Sequence, residues 1–242
     1  MRSVRIRSGV LFLLLAVFHI QFAYAVPDDV TFSPAFRSGG LGIFSALQSR
    51  RDVTSYDQRL IDWEVLGNLL WAACGMNRPG EATRTIPVVT PAFTLRIVLL
   101  AEEGAWQYDD MGHRLVGIVS RDLRGMATAG GATGGSLMFP GHRIADEESE
   151  VDAPVVLLFA ATEPFAGFEM AAQPVSQEEH LLRAAILAGH AAQNVHLVAA
   201  ASDLGVQTLL PPEEREELAR LLGISAPENI LLVLRLGYPA AQ

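Results

Sequence analysis

Apolar positions along this chain change period several times, and each change marks an element. Over residues 41–48 they recur at helical spacing, which predicts a helix that delivers Ser49-Arg50-Arg51-Asp52. Asp62 is a residue type that caps helices. Val65, Leu66, Leu69, Leu70 and Ala73 then share one face until Gly75 ends it. Residues 95–101 form a leucine and β-branched run. Residues 106–109 and 115–119 alternate in strand fashion about the turn Asp110-Met111-Gly112-His113. A short helix is expected over 122–126 and a buried strand over 155–161. Ser176-x-x-Glu179 is a capping box that opens the longest helix, expected to run to about Leu204 and stop at Gly205. Leu181, Leu182, Ile186, Leu187, Val195, Leu197 and Val198 do not share one stripe, so this helix needs cover on most sides, from core or from a second subunit. Pro212 is expected to start another helix ending at Gly223, and 230–236 reads as a final buried strand. Strands and helices alternate without a βαβ rhythm, which indicates an α+β fold.

The ends and the charge balance narrow the setting. Arg2, Arg5 and Arg7 precede an apolar run over 10–20 and the small-x-small exit Ala23-Tyr24-Ala25. That run is shorter than the ~20 residues a membrane span needs, so residues 1–25 read as a cleaved export signal and the expected location is periplasmic, with no membrane association afterwards. Residues 26–40 form a leader rich in Pro, Gly and Ser, and 41–242 form one domain, in which the Gly-rich then acidic stretch 127–152 is expected to be a flexible lid or loop. The whole chain carries a net charge of −9, and loss of the three signal arginines makes it more acidic still. Phosphate backbones repel such a surface, which excludes nucleic acid as a partner. The single cysteine, Cys74, allows no disulfide and falls in an apolar helical pattern, where a small core residue is the simpler role.

Several constellations have bland explanations. Gly130-Gly131-Ala132-Thr133-Gly134-Gly135 is followed by no Gly-Lys-Ser/Thr, so it is not a phosphate loop. Asp109-Asp110-x-x-His113 sits at a hairpin turn, where such residues serve turn chemistry, and no metal site is assigned. His190 and His196 are six apart on one helix and point to different faces. Trp63, Trp71 and Trp106 read as core or interface aromatics, whereas Phe93 and Phe139 could line an open pocket. No Gly-x-Ser-x-Gly elbow or suitably spaced Cys-His pair is present, and no side chain is assigned an obligatory catalytic acid or base role.

The chemistry-bearing motifs come in a specific order. Arg50-Arg51-Asp52-Val53-Thr54 lies ahead of Leu70-Trp71-Ala72-Ala73-Cys74-Gly75, then Arg84-Thr85-Ile86-Pro87, Ala191-Ala192-Gln193-Asn194, Leu204-Gly205 and Gly237-Tyr238-Pro239. This series resembles the nitroreductase superfamily over roughly residues 47–239, closest to its exported and azoline-oxidase-like branches. The resemblance implies an α+β fold with a central, mostly antiparallel sheet flanked by helices. It also implies a homodimer built on the long central helix, with FMN at the interface carrying electrons from NAD(P)H or another small-molecule donor to an acceptor. On this resemblance Arg50, Arg51, Arg84 and Gly205 are the cofactor-binding residues.

Other places depart from the family pattern. A phosphate-binding serine is replaced by Asp52 and a basic residue by Thr54. A carboxylate ~4 Å from phosphate costs about 4 kcal/mol per unit charge pair at an effective dielectric near 20. The serine after Pro87 is Val88. Pro91 and Phe93 stand where amides would meet the flavin ring, and proline has no N–H to offer. The stretch 206–211, expected as a loop bringing a backbone N–H to the ring, lacks a second glycine. The alternative expectation is therefore a non-catalytic binding or scaffold protein that keeps the fold without FMN.

Overall fold

The computed structural model describes residues 25–36, 40–81, 83–87, 95–129, 153–162, 176–213 and 215–241. The expected export signal up to residue 24, Val88, Pro91, Phe93, most of the Gly-rich and acidic stretch, and Phe139 lie outside the described residues.

In chain order the elements are β1 (Val30–Thr31), α1 (Ile43–Ser49), α2 (Trp63–Cys74), β2 (Met76–Arg78), β3 (Thr83–Arg84), β4 (Leu95–Ala101), β5 (Gly104–Asp109) and β6 (Arg114–Val119). They continue with α3 (Arg124–Thr128), β7 (Val155–Ala161), α4 (Gln177–Ala200), β8 (Gly205–Leu209), α5 (Glu216–Leu222) and β9 (Ile230–Gly237). Seven strands form one sheet in the order β1-β6-β5-β4-β7-β9-β8. Every strand pair in it is antiparallel. The fold is α+β, as its periodicity indicates.

The sheet is covered on both faces, which is why its central strands read as continuous apolar runs rather than alternating ones. In β4, Ile97 and Leu99 face one core with α2 and α4, while Val98 and Leu100 face the other with α5. Strand β7 is buried at every position. Each large apolar side chain so buried contributes roughly 1.5–3 kcal/mol. Helix starts follow local chemistry. Asp62 accepts from the Glu64 amide at 2.8 Å, and Ser176 Oγ accepts from the Glu179 amide at 3.2 Å. Gly223 closes α5 at φ 62°, a left-handed conformation glycine adopts without strain. Arg96 also donates to the Leu222 and Gly223 carbonyls, satisfying that helix end and complementing its dipole.

Four local expectations change. The stretch expected as a loop over 206–211 is mostly strand: β8 pairs with β9 from Gly205↔Gly237 to Leu209↔Val233. Consequently α4 ends at Ala200, and a turn through Asp203 at φ 57° reverses the chain before Gly205. Helix α5 starts at Glu216 rather than Pro212, because the prolines belong to the linker. Part of the leader is structured too. Residues 30–31 pair with β6, and just ahead of the leader Ala25 O accepts from the Ser120 amide at 2.6 Å.

Candidate functional site

The segment after α1 is held on two sides by backbone. Asp52 forms a parallel bridge with Val206, and the Val53 amide donates to Val206 O at 3.2 Å. On the other side Ser55 O accepts from the Ala240 amide, and the Asp57 amide donates to Tyr238 O. Buried Tyr56 fastens it from beneath, its hydroxyl lying 2.6 Å from Val53 O and 3.1 Å from Arg235 O. Burial pushes this phenol far above its ordinary value, so it stays a neutral donor. Gly205 has a packing role here. A Cβ at that position would sit 2.3 Å from Val53, so only glycine lets Val53 close over the start of β8.

A polar cleft of about 940 Å³ opens beside this segment. Ser49, Arg51, Asp52, Thr54 and Ser55 of the motif segment line it, together with Asp203 from the α4–β8 turn and Ala240 after β9. The two basic residues diverge. Arg50 Nη1 donates to Asp52 Oδ1 at 3.2 Å, whereas exposed Arg51 lines the cleft. One cation therefore faces two carboxylates among the lining residues.

Arg84 lies elsewhere in the fold, in the hairpin β2–β3 after α2. Its Nε donates to Asp110 Oδ2 at 2.5 Å, and the two side chains are 13% and 17% exposed. The loop behind it is tied back to both helices. The Thr85 amide donates to Gly75 O, and Asn194 of α4 donates to Ala72 O and Thr85 O at 3.0 and 3.3 Å. Asn194 is the anchoring residue that periodicity alone does not mark; its trace in the sequence is the Ala191-Ala192-Gln193-Asn194 motif. Of the four residues expected to hold a cofactor, Arg50, Arg51 and Gly205 are brought together, whereas Arg84 is engaged by Asp110.

A second, more apolar cavity of about 400 Å³ lies between α4 and the β8–β9 edge, lined in part by Ala188, Gly189, Ala192, His196 and Thr208. His196 Nε2 is 2.8 Å from Thr208 Oγ1. Burial lowers the His196 pKa from 6.5, opposed by nearby Asp52, so the ring stays neutral. His190, by contrast, is exposed on another face. Cys74 is buried, and desolvation drives its thiol well above the ordinary range, which leaves it inert.

Apart from Asp110, which pairs with Arg84, the polar side chains of the Asp109–His113 turn serve local structure. Asp109 accepts from the Met111 and Gly112 amides and from Arg114 Nε. His113 Nδ1 lies 2.8 Å from the Tyr108 hydroxyl. Of the tryptophans, Trp106 is core, donating to Asp28 O, while Trp63 is half-exposed.

Comparison with known proteins finds the same fold in other chains. A candidate nitroreductase from Ralstonia eutropha JMP134 is 24% identical, with a TM-score of 0.71 over 88% of this chain and 90% of its own. The E. coli microcin synthetase complex, bound to truncated pro-microcin, matches at 16% identity and TM-score 0.56 over 97% of this chain and 85% of that one. The Vibrio harveyi NADPH:FMN oxidoreductase complexed with NAD+ matches at 14% and TM-score 0.51, over 82% and 69%. At these identities the likeness is one of fold. No curated protein is matched. The nitroreductase family model spans residues 47–238, from the end of α1 to the residue after β9, and the chain belongs to the nitroreductase family.

Proposed function

We propose that this chain is an exported, homodimeric oxidoreductase of the nitroreductase family, using a flavin-type group to move electrons from NAD(P)H or another donor to a small acceptor. The observation that carries the reading is the cleft at the end of α1. It is built by the motif segment Arg50–Ser55 against the α4–β8 turn, within a domain that matches the family over nearly all its described length. Exposed apolar side chains on two helices support the dimer. Ile43, Phe44 and Leu47 of α1 and Leu182 and Ile186 of α4 are exposed on two helices packed against each other. Exposed apolar side chains on paired helices can seat a second copy.

The residues present do not fit the phosphate of FMN. Arg50 is paired with Asp52, Arg84 with Asp110, and Arg51 shares its cleft with two carboxylates. No reaction step is therefore assigned to bound FMN. The chain's own residues shape and pin the cleft: Tyr56 fastens the lining residue Val53, and the neutral hydroxyls of Ser49, Thr54 and Ser55 offer hydrogen bonds. These ion pairs favour a second reading, a non-catalytic binding protein that retains the fold.

The visible spectrum of the purified mature protein, before and after equilibration with excess flavin, tests both. Retained absorbance near ~450 nm, with bleaching by NAD(P)H, is expected of the oxidoreductase. A protein that stays colourless and takes up no flavin ends that reading and leaves the binding protein.

A further inference from the structure

We infer that Asp52 makes the cleft at the end of α1 discriminate against phosphate, so that a flavin enters it with an uncharged, hydroxyl-bearing tail in preference to a phosphorylated one. The inference rests on the flavin reading above. The backbone that carries Asp52 is fixed at the cleft, because it is bridged to Val206 and the next residue is bonded to Val206 O and closed over Gly205. Its carboxylate accepts from Arg50 Nη1 at 3.2 Å, which ties up the neighbouring cation. The cation that lines the cleft, Arg51, shares the lining with Asp52 and also Asp203. A dianion entering here gains one guanidinium and meets two carboxylates, an unfavourable balance in a partly desolvated setting. Ser49, Thr54 and Ser55 suit a polyhydroxyl chain, which asks for neutral donors and acceptors. The residue that would suit phosphate at position 52 is a hydroxyl donor, and the one present is an acceptor carrying charge.

Riboflavin and FMN differ only in the phosphate, so titrating both against the mature protein, followed by flavin fluorescence, isolates the effect. The wild type is expected to bind riboflavin at least as tightly as FMN. Asp52→Asn is expected to tighten FMN by roughly tenfold while leaving riboflavin within about twofold. Raising the ionic strength is expected to strengthen FMN binding to the wild type, since screening relieves repulsion. That measurement needs no variant, and it decides the matter if Asp52→Asn does not fold. FMN binding tighter than riboflavin in the wild type, FMN binding that weakens with salt, or an unchanged FMN-to-riboflavin ratio in folded Asp52→Asn overturns the inference and leaves the flavin reading standing. Absence of binding by either flavin to wild type and variant overturns the flavin reading, and the inference with it.

Discussion

Arg84–Asp110 and Arg50–Asp52 are the same chemical pair in different surroundings. The first joins positions 26 residues apart, with side chains 13% and 17% exposed, and links the β2–β3 hairpin to the β5–β6 turn. The second spans two residues at the rim of an open cleft, with side chains 32% and 26% exposed. A charge pair shielded from water is costly to break, because the abandoned partner stays buried; one at a wet rim loses little. Two of the chain's recognisable arginine motifs thus do separate work. One holds tertiary structure, and the other sets the electrostatics of a cleft.

Breaking the more shielded pair is the strongest test of that contrast. Arg84→Ala is expected to destabilise the protein by about 3 kcal/mol in chemical denaturation, with most of the loss restored by adding Asp110→Asn. Equal stability of Arg84→Ala and wild type would remove the distinction. Next comes the glycine beneath the cleft. Gly205→Ala places a Cβ 2.3 Å from Val53 and should cost about 1–3 kcal/mol, relieved by Val53→Ala. An additive double mutant would show that the two residues do not meet.

A pH series probes the buried region from another side. His196 and His113 are both held below the ordinary 6.5, chiefly by burial. The unfolded chain then takes up protons first, so stability is complete above about pH 6.5 and falls as the pH drops toward the folded values. Denaturation midpoints at several pH values, with His196→Asn flattening the acid-side loss, are the expected outcome. The smallest effect belongs to the rim. Arg50→Ala should change stability by less than about 1 kcal/mol, and a larger loss would mean that this pair carries the fold as well.

Much of the fold is legible in local chemistry. Asp62 and Ser176 cap where their residue types indicate, Gly223 stops α5, and the apolar runs over 95–101 and 155–161 are the sheet's centre. Strand β8 was obscured because Gly205 reads locally as a helix stop. Its signal was available in the β-branched alternation of Val206 and Thr208. The leader's pairing with β6 left a fainter trace. Gly117, whose Cβ would lie 2.0 Å from Pro27 O, makes room for that approach, but a glycine alone does not say what comes near it.

For the candidate site, residue types told which groups were present and not what each would face. Period and capping depend on neighbours within a few positions, so the chain alone determined the helices, most strands, the α+β class and the acidic substitution at position 52. Ion pairing and close packing depend on groups brought together from distant positions. Only the tertiary structure decided that Arg84 is answered by Asp110, that Asp203 joins Asp52 at the cleft, and that Gly205 serves Val53. Electrostatic and steric partners act through space, at ångström range, and sequence separation carries almost none of that information.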